Sequence, residues 1–142
     1  MSIHMIKLVV GIDSLHEYAQ LMERWLIDYE GAKANPVHTR HKPKREAELV
    51  RDGSIYRVIK NVIVCRQKII GFEPFEHPVK GSMWMVMCDP EIIATRPMAK
   101  RPFQGWRYLE PAAAPPDIGV YDAGQDQPPE EMQGDLAAAG LL

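Results

Sequence analysis

The sequence predicts a small α+β domain: a mostly antiparallel, curved sheet or partial β-barrel, with two helices from the N-terminal half packed on it. Three observations point there. A β-branched apolar run opens the chain, IHMIKLVV at residues 3–10. Two capped helical patterns follow before residue 53. From Ser54 to Cys88 the residues then alternate with a strand's period of two.

The opening run reads as a largely buried strand ended by Gly11. Ser14 and Glu17 stand three apart, the spacing of a capping box. The helix they start carries Leu15, Tyr18, Leu21, Met22, Trp25, Leu26 and Tyr29 as an apolar stripe, with Gly31 as its stop. Residues 32–41 read as a loop. Pro43 suits the first turn of a second helix, KREAELVRD, which Gly53 closes. Residues 54–75 carry the longest strand signal, with Lys60-Asn61 as a two-residue hairpin turn because Asn tolerates positive φ. EHPVKGS is turn-rich, Met83–Cys88 is a third strand, and Asp89-Pro90 breaks it. Ile92–Thr95 reads as a short fourth element.

The stretch KRPFQGWRYLEP, Lys100–Pro111, packs three cations and three aromatics around one glycine. Pro102 cannot donate to a ladder and Gly105 has no side chain to pack, so the stretch reads as a bend or sheet edge. Phe103 and Trp106 are expected to fold inward and close the core, with Arg101 and Arg107 pointing out or bracing the acidic tail.

Charge divides the chain. All 17 Lys and Arg lie in residues 1–109, with 12 of the 19 acids, so that part is +5. Residues 110–142 hold the other 7 acids and no cation. This last stretch is rich in Pro, Ala, Gly and Gln, and buries too little apolar surface to offset the entropy of ordering it. One globular domain over residues 1–118, then a disordered acidic tail over 119–142, is the expected organisation. The first part of that stretch, EPAAAPPDI, is read as lying along the body.

Cys65 and Cys88 have no metal-finger spacing and read as buried free thiols. No positive cluster precedes the first apolar run and no cleavage site follows it, so it is no signal peptide. No window approaches the roughly 18 apolar residues of a membrane span. A cytoplasmic protein without membrane contact is expected.

Three blocks carry a family resemblance: IKLVVGIDS (Ile6–Ser14), KPKREAELVRDGSIYRVIKNVIVCRQKI (Lys42–Ile69), and RPFQGWRYL (Arg101–Leu109) with APPD (Ala114–Asp117) soon after. In these the chain resembles an alphaproteobacterial family, domain of unknown function 1489, over about residues 3–118. Asn61 stands where the family has Gly, and Arg57 where it has an aromatic. The acidic tail lies outside the resemblance. It implies a bacterial soluble domain and supplies no activity. The order of helix, DGS turn, hairpin and late edge is also similar to PUA-like domains of the ASCH and EVE branches. Those are small β-barrels with flanking helices, many of which bind modified bases, RNA or DNA.

Residues 40–68 hold nine cations and three acids. Dispersed Lys and Arg replace condensed counterions on phosphate, and aromatic faces stack bases. The candidate anion site is therefore Arg40, His41, Lys42, Lys44, Arg45, Arg101 and Arg107, with Tyr56 and Trp106 as stacking partners. The run HTRHKPKRE, at the N-terminus of the second helix, ranks first among these. The strand cations Arg57, Arg66 and Lys68 read as a solvated sheet face. His38 and His41, flanked by Arg40 and Lys42, are poorly placed for a metal, and no metal or cofactor site is assigned. No catalytic motif is present, and no catalytic residue is assigned. The expected function is non-catalytic binding of RNA or DNA. A protein-interaction module comes second and a small enzyme third.

Overall fold

The computed structural model describes residues 2–122. It is an α+β protein. Among the described residues, two helices pack on a mostly antiparallel, open and curved sheet of nine strands.

Strand β1 (His4–Leu8) leads into helix α1 (Leu15–Trp25). The Ser14 hydroxyl accepts from the Glu17 N–H at 3.1 Å, and Glu17 Oε1 accepts from the Asp13 N–H at 2.9 Å. The cap read from the sequence is thus present, with the reciprocal bond one residue earlier. Tyr18, Ala19 and Met22 are the buried face of α1.

The expected helix to Gly31 and the loop over 32–41 are corrected. The helix stops at Trp25, and Leu26 is extended (φ −60°, ψ 138°). Strands β2 (Ile27–Tyr29) and β3 (Ala32–Thr39) form a hairpin instead. Its turn residues Glu30 and Gly31 both have positive φ (48° and 85°), the backbone of a tight two-residue connection. Pro36 is tolerated within β3 because β2 has ended by then, leaving β6 as the neighbour on one side only.

Helix α2 (Glu46–Asp52) is shorter than expected, so Pro43 precedes it. Strands β4 (Ser54–Ile59) and β5 (Val62–His77) form the predicted hairpin, with φ of 49° at Lys60 and 66° at Asn61. Strands β6 (Gly81–Cys88), β7 (Ile93–Ala99), β8 (Trp106–Leu109) and β9 (Asp117–Val120) follow. The strand order is β2-β3-β6-β5-β4-β1-β8, while β7 pairs with β5 and β9. Only β1 and β4 run parallel among the described pairs.

Chain order therefore does not stop at the expected boundary of 118. Strand β9 continues to Val120, and the Tyr121 N–H donates to the Ile92 carbonyl at 2.8 Å. The remainder of the expected tail lies outside the described residues.

The two faces of the β8–β1–β4–β5 part differ. Met5, Ile55 and Ile69 point into a cluster with Leu49 of α2, Val37 and Phe72. Cys65, on the same face, packs in a second cluster with Tyr18 and Met22 of α1. The opposite face carries Ile6, Tyr56, Val58 and Leu109, covered by Phe103 and Ala114 rather than by a helix.

Candidate nucleic-acid interface

The stretch from Lys100 to Pro111 closes the fold at the sheet edge. Strand β8 pairs antiparallel with β1, opposing Trp106 to Lys7 and Tyr108 to Met5. Trp106 and Tyr108, two apart, share the helix-covered face, their rings edge to face at 4.9 Å. Together they clasp residues 41–45. The Trp106 indole N–H donates to the His41 carbonyl at 2.8 Å, and the Arg45 N–H donates to the Tyr108 hydroxyl at 3.1 Å. Trp106 also packs against the first cluster, and Phe103 against the third.

The cations of this region are largely engaged. Arg40 donates to the Lys80 carbonyl at 2.8 Å. Lys42 pairs with Glu46 at 2.8 Å and lies 4.8 Å from the Trp84 ring centroid. Arg45 binds Glu48 through two hydrogen bonds, 2.6 and 3.0 Å. Glu46 and Glu48 occupy the first turn of the seven-residue α2, so its positive end is already matched by acid, and the region expected first as an anion site is electrostatically satisfied. Lys44 and Arg101 are exposed and pair with no carboxylate among the described residues. Arg107 is exposed, its guanidinium 4.7 Å from the Phe103 ring centroid.

Tyr56 lies on the opposite sheet face from Trp106 and Tyr108 and is only 5% exposed, so its ring face is closed to a stacking base. It meets His4 edge-on at 5.2 Å. It belongs instead to a cross-strand row on the helix-free face, Arg107–Ile6–Tyr56–Arg66, running over four strands. The next row holds Leu109 opposite His4 and Ser54 opposite Lys68.

A recess of about 390 Å³ opens over these rows. Its floor is His4, Ser54, Tyr56, Arg66 and Lys68, with Asp52 at one side. Pro111, Ala114, Pro115, Pro116 and Asp117 form its cover. Arg66 grips Asp117 through two bonds, 2.9 Å from Nε and 2.7 Å from Nη2, and donates from Nη1 to the Ser54 hydroxyl at 2.9 Å. The Ser54 N–H donates to His4 Nδ1 at 3.0 Å, and Lys68 donates to the Val50 and Ile69 carbonyls at 2.6 and 2.5 Å. Burial, and then the Arg66 charge, lower the His4 pKa. Burial lowers Lys68 and raises Tyr56. The hydrogen bond from Arg66 holds the Asp117 carboxyl below its usual range.

Arg66 and Lys68 are therefore not a plain solvated face, and Arg57 is not solvated at all: it is 6% exposed on the helix-covered side. Of the recess, only Tyr56 was anticipated. The available signal was the spacing of Ser54 and Tyr56, and of Arg66 and Lys68, which places polar groups together on one strand face.

His38 lies in β3 with its ring 4.7 Å from that of Phe75, apart from His41 in the loop. Among the described residues no three His, Cys, Asp or Glu are placed to hold a metal ion. Cys65 and Cys88 are buried and free, and burial pushes both thiols up to about 12. No helix among the described residues is long and apolar enough to cross a membrane.

No curated protein and no solved structure matches the chain. One family model does, over residues 5–142, so the match runs on through the acidic tail that the sequence resemblance left out. The chain therefore belongs to the family described as "Protein of unknown function (DUF1489)".

Proposed function

We propose that the protein is a non-catalytic nucleic-acid-binding module, for RNA or DNA, acting in a bacterial cytoplasm. The observation that carries this reading is the β8 edge, where Arg101, Arg107 and Lys44 are exposed and pair with no carboxylate among the described residues. Exposed Arg101 and Lys44 extend the positive surface around the β8 edge. The element order, similar to PUA-like domains, points the same way as fold-level analogy.

The test is binding of fluorescent single- and double-stranded RNA and DNA to the full chain across a salt series. Affinity should fall steeply with salt, and Arg101→Glu/Arg107→Glu should reduce the slope by about one for each lost phosphate contact. Absence of binding at about 50 mM salt would sink the reading.

A second reading, a protein-interaction module, is favoured by β9. This edge strand pairs with β7 alone and exposes Ile118 (62%) and Val120 (64%). Exposed edges of this kind accept an added strand.

A further inference from the structure

We infer that the recess under residues 111–117 is a pocket for a phosphate monoester, and that the Asp117 carboxylate fills the ligand's place on Arg66 until the ligand arrives. The inference stands on the recess alone and does not require Arg101 or Arg107.

The hydrogen-bond inventory is rich in donors. Ser54 Oγ accepts from Arg66, which leaves its own O–H to donate. His4 Nδ1 accepts from the Ser54 N–H, so a neutral His4 carries its proton on Nε2. Tyr56, which lines the recess, brings a hydroxyl that can donate. Lys68 spends two of its three N–H groups on backbone carbonyls. Arg66 brings a planar fork that already binds two carboxylate oxygens. Against these donors stand the carboxylates of Asp52 and Asp117. A group with several acceptor oxygens uses such an array best, and a guanidinium fork fits phosphate as it fits carboxylate. A monoester carries about −1.5 to −2 charge at neutral pH, against the single charge of Asp117.

Size and cover agree. A volume of about 390 Å³ is at the small end of ligand clefts, room for a phosphate and a sugar but not for a duplex. Pro111, Pro115 and Pro116 give the ester's organic part an apolar wall. The cover can lift locally. Pro115 is buried and Tyr121 half-buried, but all four residues of β9 between them are exposed. Segments with few buried apolar contacts open at low cost.

The experiment is calorimetric titration of the full chain with adenosine 5′-monophosphate, adenosine and inorganic phosphate. Short single-stranded oligonucleotides with and without a 5′-phosphate form a further arm. The nucleotide should bind, and adenosine should bind at least about tenfold more weakly, the worth of one charge-assisted contact. Lys68→Met should weaken nucleotide binding by a similar factor. Asp117→Asn should tighten it, because the competing charge is gone while the side chain keeps its shape. Thermal melts of both variants establish that they fold. Weaker binding in Asp117→Asn would overturn the placeholder role. Equal binding of nucleotide and adenosine, or no binding of either to wild type and to Asp117→Asn, would overturn the pocket. Preference for the 5′-phosphorylated oligonucleotide assigns the phosphate to a strand end; nucleotide binding without that preference assigns it to a free ester. Salt-dependent oligonucleotide binding with no response to the nucleotide would remove the pocket and leave the nucleic-acid reading standing. Nucleotide binding with no oligonucleotide binding would do the reverse.

Discussion

The Arg57 guanidinium lies 5.5 Å from the centroid of the Tyr18 ring and donates from Nη1 to the Tyr18 hydroxyl at 3.3 Å. Both groups are buried, and no carboxylate pairs with Arg57 among the described residues. Its charge is held by π density, by that hydroxyl and by the Lys7 and Leu8 carbonyls. The hydroxyl also donates to Gln67 Oε1 at 2.7 Å and accepts from Asn35 Nδ2 at 3.1 Å.

Tyr18→Phe therefore strips one partner from three buried polar groups at once. The expected loss is roughly 1–3 kcal/mol in urea unfolding, since an unsatisfied buried group carries its full desolvation penalty. Arg57→Lys keeps the charge but loses the fork. In a double-mutant cycle the two should be strongly non-additive, as members of one network. Additive effects would contradict the coupling.

Gly53 joins α2 to β4 beside the recess. Its φ of −92° suits any residue, so the reason for glycine is space. A methyl group there would stand 2.7 Å from the Ile3 carbonyl oxygen and 2.8 Å from Leu49 Cα. Both neighbours are backbone and cannot rotate away. Gly53→Ala is expected to cost about 1–3 kcal/mol as overpacking, read as a lower denaturation midpoint. A neutral result would show that α2 shifts freely against β1.

Acid should weaken the fold before any carboxylate titrates. His4 has a pKa lowered by burial and by Arg66, with Lys68 opposing its charge and Asp117 favouring it. His38 is lowered by burial and by His77. The unfolded chain therefore takes up protons near pH 6.5, where the folded one does not. Stability is full above that pH and falls as pH drops below it. The urea midpoint should decline from about pH 7.5 to about pH 5.5, and His4→Gln should flatten part of the decline. Asp117, depressed by Arg66, contributes with the same sign but only at lower pH.

Neither cysteine should react with a thiol reagent at about pH 8 in the native protein, because the reactive species is the thiolate. Burial raises both thiols to about 12. Labelling should follow unfolding and reach both sites in denaturant. Rapid labelling of native protein would contradict the burial.

What could be read from the sequence was what local chemistry dictates. Ser14 and Glu17 announced a helix start. Lys60-Asn61 announced a turn because Asn accepts positive φ. The β2–β3 hairpin was hidden for two reasons. Leu26 and Tyr29 continue the helical spacing of Met22 and Trp25, and Pro36 argues against a strand unless its neighbour is known to have ended. The recess was hidden because it assembles from residue 4, residues 52–56, residues 66–68 and residues 111–117. The parallel pairing of β1 with β4 brings the first two together across some fifty residues, and no local pattern encodes that pairing.

Strand β5 has sixteen residues, against a usual five or six. Its first half pairs with β4 and β7, its second with β6, and a register shift between Ile69 and Gly71 bends it from one set to the other. All three hydrophobic clusters take residues from it: Ile69 and Phe72 enter the first, Cys65 the second and Ile63 the third. None of the three can come apart without fraying this shared spine. The amides of Cys65 to Ile69 should be the last to exchange with deuterium, at the cost of opening the whole molecule. A single backbone cut near Gly71 should abolish folding on both sides of it, leaving no half that survives alone.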